Sequence, residues 1–447
     1  MSDLVLANNN FTNHWPIPGC SSCLPGGRTS AEWTRGTYME GDLALYRLNL
    51  DTNIYNYAVL WGADYSWQLS DSDTGTDPNG HCAGQSYTDL YLLAPTQANT
   101  NRLTHIVNNV NYWVSNNIGL TAWSFVDAIH MSMPALAKLA ALNSNTVPAL
   151  KNNATFSPTN YSWFHNTKSV IGPSNGLYNT TDHLWWRDAT FVTNYTAQDG
   201  TKQKCYWSRG NGWVFVALCR TMDVLPVSDP HYAEYLQTFT NMATALIAVQ
   251  RADGFWNVNL AYTNDYPGPE ASGTSCFVYG LAWGITHGYL ATNVYLPAAI
   301  RGWDALSNGA LHRTADTTNG AGFLGYEQDA GDEPASGQPV TYTSVPTFTD
   351  FGLGLFLLAG TEIYQLSSSP GIIMSPPVLA GGQVQLDFTV ISAVTNVPLN
   401  LLQTDALGVG WTVSPTATLT TNVAGYSYRF TTLSGPATRF YRVQAGP

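Results

Sequence analysis

The stretch WSFVDAIHMSMPALAKLA, residues 123–140, sets one carboxylate among apolar neighbours. Phe125, Val126, Ile129 and Met131 cannot solvate Asp127. An unpaired buried charge is costly, so such a group is either paired or protonated. A protonated carboxyl is what a general acid requires, and apolar surroundings raise its pKa toward working pH. His130 lies one turn along, within reach of a hydrogen bond to Asp127. The same two residues also read as a polar pair bending a core helix.

Three further segments combine charges with aromatic rings. In CYWSRGNGWVFVALCR, residues 205–220, a buried helix reads from Val214 to Arg220. Arg209, Gly210, Asn211 and Gly212 precede it, flanked by Trp207 and Trp213. The glycines let the chain turn tightly before the helix. Arg209 and Trp213 are four apart, so a helical start puts them on one face. A guanidinium beside an indole suits a planar, negatively charged sugar; it also suits an arginine that simply caps a loop. LWWRDATF, residues 184–191, sets Trp185 and Trp186 beside Arg187 and Asp188. NDYPGPEASGTSCFVYGLAWG, residues 264–284, delivers Glu270 and Ser272 to a helix start, with Ser272 as a fitting N-cap.

Composition narrows what these clusters serve. Charged residues are only 11% of the 447, while aromatics reach 13%, with 15 Trp and 25 Tyr. Flat rings with polar edges suit sugar faces, although a Trp-rich core is an equal use of any one of them. The net charge of −12 argues against a nucleic-acid partner. No apolar run approaches the roughly 20 residues that span a membrane, so no membrane partner is expected. The six cysteines lack the paired spacing of a zinc site; Cys20 and Cys23 suit a local disulfide, and Cys82, Cys205, Cys219 and Cys276 read as buried thiols. Met-Ser-Asp opens the chain without the basic and apolar stretches of an export signal. Scarce Lys with abundant Asn, Thr and Tyr fits an exported protein, so a secreted or periplasmic location is expected, the leader lying outside this sequence.

The elements that must position these residues are mostly helical. AEWTRGTYMEGDLALYRL, NRLTHIVNNVNYWVSN, SFVDAIHMSMPALAKLAAL, NGWVFVALCRTMDVL and HYAEYLQTFTNMATALIAVQ carry apolar residues at helical spacing. SGTSCFVYGLAWGITHGYL, LPAAIRGWDALSN and FTDFGLGLFLLAGTEIYQL do the same. Several are apolar on most faces, as an inner ring of a helical toroid would be. The expected boundaries are a helical catalytic domain over 1–366, a linker over 367–376 and an Ig-like β-sandwich over 377–447. The last is read from QVQLDFTV, LNLLQTD, GWTVS, ATLTT, YSYRFTT and TRFYRV, short β-branched and aromatic runs between turns.

Taken in order, EWTRGTYMEG, HCAGQSYTDLY, WSFVDAIHMSMPALA, LWWRDATF, YWSRGNGW, DGFW and YPGPEASGTSCFVYGLAWGI resemble glycoside hydrolase family 105, the unsaturated rhamnogalacturonyl hydrolases, and the related unsaturated glucuronyl hydrolases. The resemblance spans most of residues 30–365 and implies a mainly α chain with an (α/α)6-barrel catalytic domain. It puts the catalytic aspartate on Asp127, the RGNGW arginine and tryptophan on Arg209 and Trp213, and an aromatic near the sugar on Trp33. His81, His130, Trp186, Arg187 and Asp188 join these as expected substrate contacts. Two departures stand out. Asn79-Gly80 occupies a place where many members carry an aspartate pair, one of which assists catalysis. Asn79 is therefore a catalytic candidate through hydrogen bonding, with Asp73 or Asp77 reaching in from a shifted loop. Arg187 stands where some members have histidine.

The chemistry the resemblance implies is hydration of a 4,5-unsaturated uronic acid ending a lyase-generated oligosaccharide of rhamnogalacturonan or ulvan type, with neither metal nor organic cofactor. One carboxyl, Asp127, serves as acid and then base. Two other readings remain: a conventional inverting glycosidase pairing Asp127 with Asp188 or Glu270, and a sugar-binding protein whose site has decayed at Asn79.

Overall fold

The computed structural model describes residues 1–447 apart from 16–30, 143, 145–146, 148, 151–152, 193–194, 315–319, 345–349, 369–370, 376, 392–398, 406–411, 424–426, 436–438 and 446–447. The expected Cys20–Cys23 bridge lies outside the described residues. The chain forms two compact units, residues 1–280 with 298–361, and residues 281–297 with 362–447.

The helices are α1 (Ser2–His14), α2 (Trp33–Asn49), α3 (Thr52–Asp64), α4 (Gly80–Leu93), α5 (Thr104–Asn116), α6 (Gly119–Ala122) and α7 (Asp127–Ala141). They continue as α8 (Phe156–Ser169), α9 (Ser208–Met222), α10 (Tyr232–Ala248), α11 (Ala271–Thr286), α12 (Thr292–Asp304) and α13 (Asp350–Ser368). In the first unit they are of two kinds. Helices α2, α4, α7 and α9 are buried over most of their circumference. Helices α3, α5, α8 and α10 bury one face, as amphipathic elements do. The inner helices pack in succession, α2 on α4, α4 on α7 and α7 on α9. Two glycine contacts extend the series. A Cβ on Gly212 of α9 would lie 2.6 Å from Cys276 Cβ of α11, and one on Gly41 of α2 would lie 2.2 Å from the Gly354 carbonyl of α13.

A buried charge network ties four of these helices. Lys138 Nζ of α7 and Arg220 Nη2 of α9 lie 2.8 and 3.2 Å from Asp89 Oδ2 of α4. Arg220 Nε is also 3.6 Å from Glu40 Oε2 of α2. Two buried carboxylates face these two buried cations, and the exposed Arg47 of α2 reaches Asp89 Oδ1 at 3.2 Å as a third. Burial opposes the charge on Asp89, but Lys138, Arg47 and Arg220 outweigh it and hold the carboxyl well below its usual range. Such networks fix helix register more than they add stability, because desolvation cancels much of the Coulomb gain.

Two of the helix boundaries that differ from the sequence reading move candidate site residues. Helix α7 begins at Asp127, so this residue opens the helix instead of lying inside it. Helix α9 begins at Ser208, which places Arg209, Gly210, Asn211, Gly212 and Trp213 within the helix. Gly212 therefore allows close helix packing, not a tight turn. Helices α1, α3, α4 and α8 arise from stretches whose Asn, Thr and Gly content masked the periodicity.

In the second unit, one sheet has the order β1-β3-β7-β6, with β2 also paired to β3, and a second has the order β5-β4-β8. The strands are β1 (Gly371–Met374), β2 (Val378–Ala380), β3 (Gln383–Ile391), β4 (Leu399–Thr404), β5 (Thr412–Val413), β6 (Thr418–Val423), β7 (Ser427–Leu433) and β8 (Phe440–Ala445). Val384, Leu386 and Phe388 alternate along β3 and meet Phe430 of β7 and Leu401 of β4, so both sheets share one core. The stretch 367–376 holds the end of α13 and strand β1, where a linker was expected. Its Gly and Pro suggested a linker, yet the intervening Ile-Ile-Met pairs with the edge of β3. Among the described residues, no helix is long and apolar enough to cross a membrane.

Candidate active site

Backbone pairing builds the centre of the site. Phe125 bridges to Asp188, and the Val126 amide donates to the Arg187 carbonyl at 2.9 Å. The extended segment 184–188 thus runs beside the start of α7 and sets Arg187 and Asp188 next to Asp127. Arg187 Nε donates to Asp127 Oδ2 at 3.2 Å, and its Nη1 donates to Asp188 Oδ2 at 2.9 Å. Asp332 Oδ2 stands 3.9 Å from the same Nη1. The guanidinium carbon lies 4.6 Å from the centre of the Phe125 ring. Asp188 holds its turn by accepting from the Thr190 amide and hydroxyl.

Asp127 is 9% exposed, enough for contact with a ligand but poor in water. Burial pushes its carboxyl above the usual range, while Arg187, its own helix-terminal amide and the more distant Arg209 pull it down. Burial is the largest of these, so the net direction is upward. Arg187 goes the other way. Burial works against its charge, but Asp127, Asp188 and Asp332 outweigh it and hold the guanidinium above its ordinary value.

The remaining predicted residues divide sharply. Trp33 is half-buried and meets Trp213 edge-on, with centroids 6.0 Å apart. Trp213 itself is only 1% exposed and lies against His130, with centroids 4.6 Å apart. His130 was expected to bond Asp127; instead its Nε2 is 3.4 Å from Glu40 Oε2. Trp186 is buried against Tyr206, and its indole N–H has no acceptor among the described residues. His81 is fully buried between Ser132 and Asn109, away from any solvent-reachable surface. Asn79 is the half-buried N-cap residue of α4 and gives that helix no side-chain cap. Asp73 accepts from His105 and Asn108, and Asp77 accepts from the Asn79 amide, so both are committed within their own loop and to α5.

Arg209 lies in the core, 0% exposed. Its guanidinium donates to the carbonyls of Gln328 at 2.7 Å and Asp329 at 2.6 Å, and to Ser272 Oγ at 3.2 Å. The indole it covers is that of Trp207, at 4.6 Å, and not Trp213. Arg209 therefore anchors a loop. Gln328 continues the anchoring by donating to the carbonyls of Glu333, Pro334 and Ser336, and this loop carries Asp332 to Arg187. Glu270 is likewise committed. Its carboxylate accepts from the Ser272 amide and hydroxyl, the Gly273 amide and Ser208 Oγ, making Glu270, not Ser272, the residue that caps α11. That leaves it no free lone pair for activating water.

Sequence reasoning missed Glu40, Phe125 as a platform, and the 328–336 loop. Glu40 had a signal: a carboxylate in the apolar helix TYMEGDLALY, the same pattern that exposed Asp127. The loop had none, because its role depends on Arg209 from 119 residues away. Among the described residues, Glu40, Cys82 and His130 form one group with possible metal-ligand atoms within 4.8 Å of one another. Arg220 already supplies the positive charge there, and burial pushes the Cys82 thiol well up. The donor chemistry fits a charge-balanced core better than a cation site.

Residues 8–367 match glycosyl hydrolase family 88, and the chain belongs to that family of glycoside hydrolases. It is 32% identical over 247 residues to an unsaturated 3S-rhamnoglycuronyl hydrolase of Formosa agariphila, a match covering 55% of this chain and 58% of that protein. The chain thus spans less than two thirds of that relative. A family 88 glycosyl hydrolase from Bacteroides vulgatus superposes with a TM-score of 0.68 at 26% identity, over 81% of this chain and 97% of that one. A family 105 glycoside hydrolase of C. acetobutylicum shares the fold, with a TM-score of 0.61 at 17% identity, over 81% and 99%.

Proposed function

We propose that the protein removes a 4,5-unsaturated uronic acid from the non-reducing end of lyase-generated oligosaccharides by hydrating the C4=C5 double bond. The observation that carries this reading is Asp127, a nearly buried carboxyl at a helix start whose proton affinity burial raises, with the half-buried cation Arg187 3.2 Å away. The family and the name of the Formosa agariphila relative support it.

Asp127, protonated, donates to C4. Positive charge develops at C5 and the ring oxygen. The carboxylate so formed takes a proton from water as that water adds at C5, which restores the acid. The resulting hemiketal opens to a ketone, and C1, now a hemiacetal carbon, releases the next sugar. One carboxyl suffices because the proton it gives is returned within the cycle. Arg187 is the residue suited to the uronate carboxylate, since Arg209 has its guanidinium committed to the loop. Trp33 offers the half-buried face for the ring, and Trp213 backs it. Asp188 orients Arg187.

The same reading takes the helical domain as an (α/α)6 barrel, with α2, α4, α7, α9, α11 and α13 as its inner ring, and the C-terminal strands as an Ig-like β-sandwich. It takes rhamnose from rhamnogalacturonan or ulvan as the neighbouring sugar, and the secreted or periplasmic space as the place of action. The test is a panel of lyase-generated oligosaccharides, followed by loss of the unsaturated chromophore in the ultraviolet. Asp127→Asn should abolish the loss without disturbing the circular dichroism spectrum. An undiminished rate removes Asp127 from the mechanism.

A further inference from the structure

One guanidinium faces several carboxylates at this site. Arg187 Nε holds Asp127 at 3.2 Å, and its Nη1 holds Asp188 at 2.9 Å with Asp332 3.9 Å away. Among the described residues, nothing accepts from Nη2. The side chain keeps 19% of its surface open. A uronate arriving at Asp127 therefore finds one donor free on a cation that Asp127 already shares.

We propose that Arg187 couples uronate binding to proton uptake by Asp127, so that the substrate's own carboxylate makes the acid ready. The inference rests on the functional reading above and deepens it. In the free protein Arg187 favours the ionised form of Asp127, against the burial that favours the neutral form. A bound uronate adds a negative charge next to Asp127 and draws on the same guanidinium. Both effects disfavour two ionised carboxyls side by side, as like charges in one site do. Asp127 takes a proton from solvent, and no other group need change. Other charged and titratable groups also surround Asp127. Arg209 of α9 is buried and committed to its loop, and His130, one turn along α7, faces Glu40 of α2. Asp188 stays on Nη1, and Asp332 and Glu333 stand on the loop beyond Arg187. Specificity follows: a neutral sugar of the same shape fits the aromatic walls but leaves Asp127 ionised.

The test is isothermal titration of the full chain with D-glucuronate, a uronate that lacks the double bond, in two buffers of different ionisation enthalpy near neutral pH. The expected result is net proton uptake on binding, and none with glucuronamide. Asp127→Asn should bind the acid without uptake, and Arg187→Gln should lose most of its affinity for the acid over the amide. The kinetic counterpart is a basic limb of kcat lying at higher pH than that of kcat/KM, because the first reports the complex and the second the free protein. Equal proton counts for acid and amide on the wild-type protein overturn the coupling, with no variant required. So does uptake that survives in Asp127→Asn, or a protein that turns over unsaturated oligosaccharides yet shows no affinity for a uronate. Uptake without turnover of any unsaturated oligosaccharide would retain the coupling and remove the functional reading.

Discussion

His81 offers a clean measure of how the inner helices hold together. It is fully buried on α4 and bridges Ser132 of α7 and Asn109 of α5. Asn109 donates its amide N–H groups to the carbonyls of Ser72 and Gly75, which turns its oxygen toward His81. That oxygen accepts from Nε2, so Nδ1 is left to accept from the Ser132 hydroxyl. The imidazole is neutral, and burial pushes its pKa down from 6.5 to about 4. The unfolded chain therefore binds a proton at His81 between those two values while the folded chain does not. Stability rises with pH across that window and falls as the pH drops from 6.5 toward 4. At about 1.4 kcal/mol per unit, the full window is worth roughly 3 kcal/mol. His81→Gln keeps a donor and an acceptor but cannot titrate. Guanidinium unfolding of both proteins at several pH values isolates the contribution from that of the carboxylates, which is common to both. The variant should be less stable near neutrality and lose less on acidification, so the two curves converge by about 3 kcal/mol at the acid end. Parallel curves would mean that His81 is accessible to protons in the fold, and the pinning role would fail.

Other substitutions probe the remaining assignments. Trp213→Ala should lower stability by about 3–5 kcal/mol, as expected for a buried indole, in denaturant titration; wild-type stability with weakened sugar binding would instead place the ring in the pocket. Gly212→Ala drives a methyl into Cys276 and should cost about 1–3 kcal/mol, most of it recovered by adding Cys276→Gly; no recovery would show that the α9–α11 approach is not the cause. Arg209→Lys leaves carbonyls of Gln328 and Asp329 without their fork of donors. It should raise the rate of limited proteolysis within 328–338, and an unchanged cleavage rate would free Arg209 from the loop.

Residue chemistry already present in the chain determined a good deal. An isolated carboxylate among Phe125, Val126, Ile129 and Met131 is conspicuous because a buried charge is costly unless it is paired or protonated. The helices containing Asp127, Trp213 and Cys276 were legible from their 3.6-residue periodicity, and the change to alternating β-branched runs separated the C-terminal strands. These signals are local, and local patterns survive in a linear string. Tertiary structure alone decided which charges meet. Arg187 reaches Asp127, 60 residues away in the chain, because residues 125–126 pair with 187–188. Arg209 is held in the core because loop carbonyls 119 and 120 residues distant claim its donors. His130 faces Glu40, not its helical neighbour Asp127, because the fold brings that carboxylate of α2 to 3.4 Å from its ring. A charged group's partner is set by distance and desolvation in three dimensions, and neither quantity is written in the order of the residues.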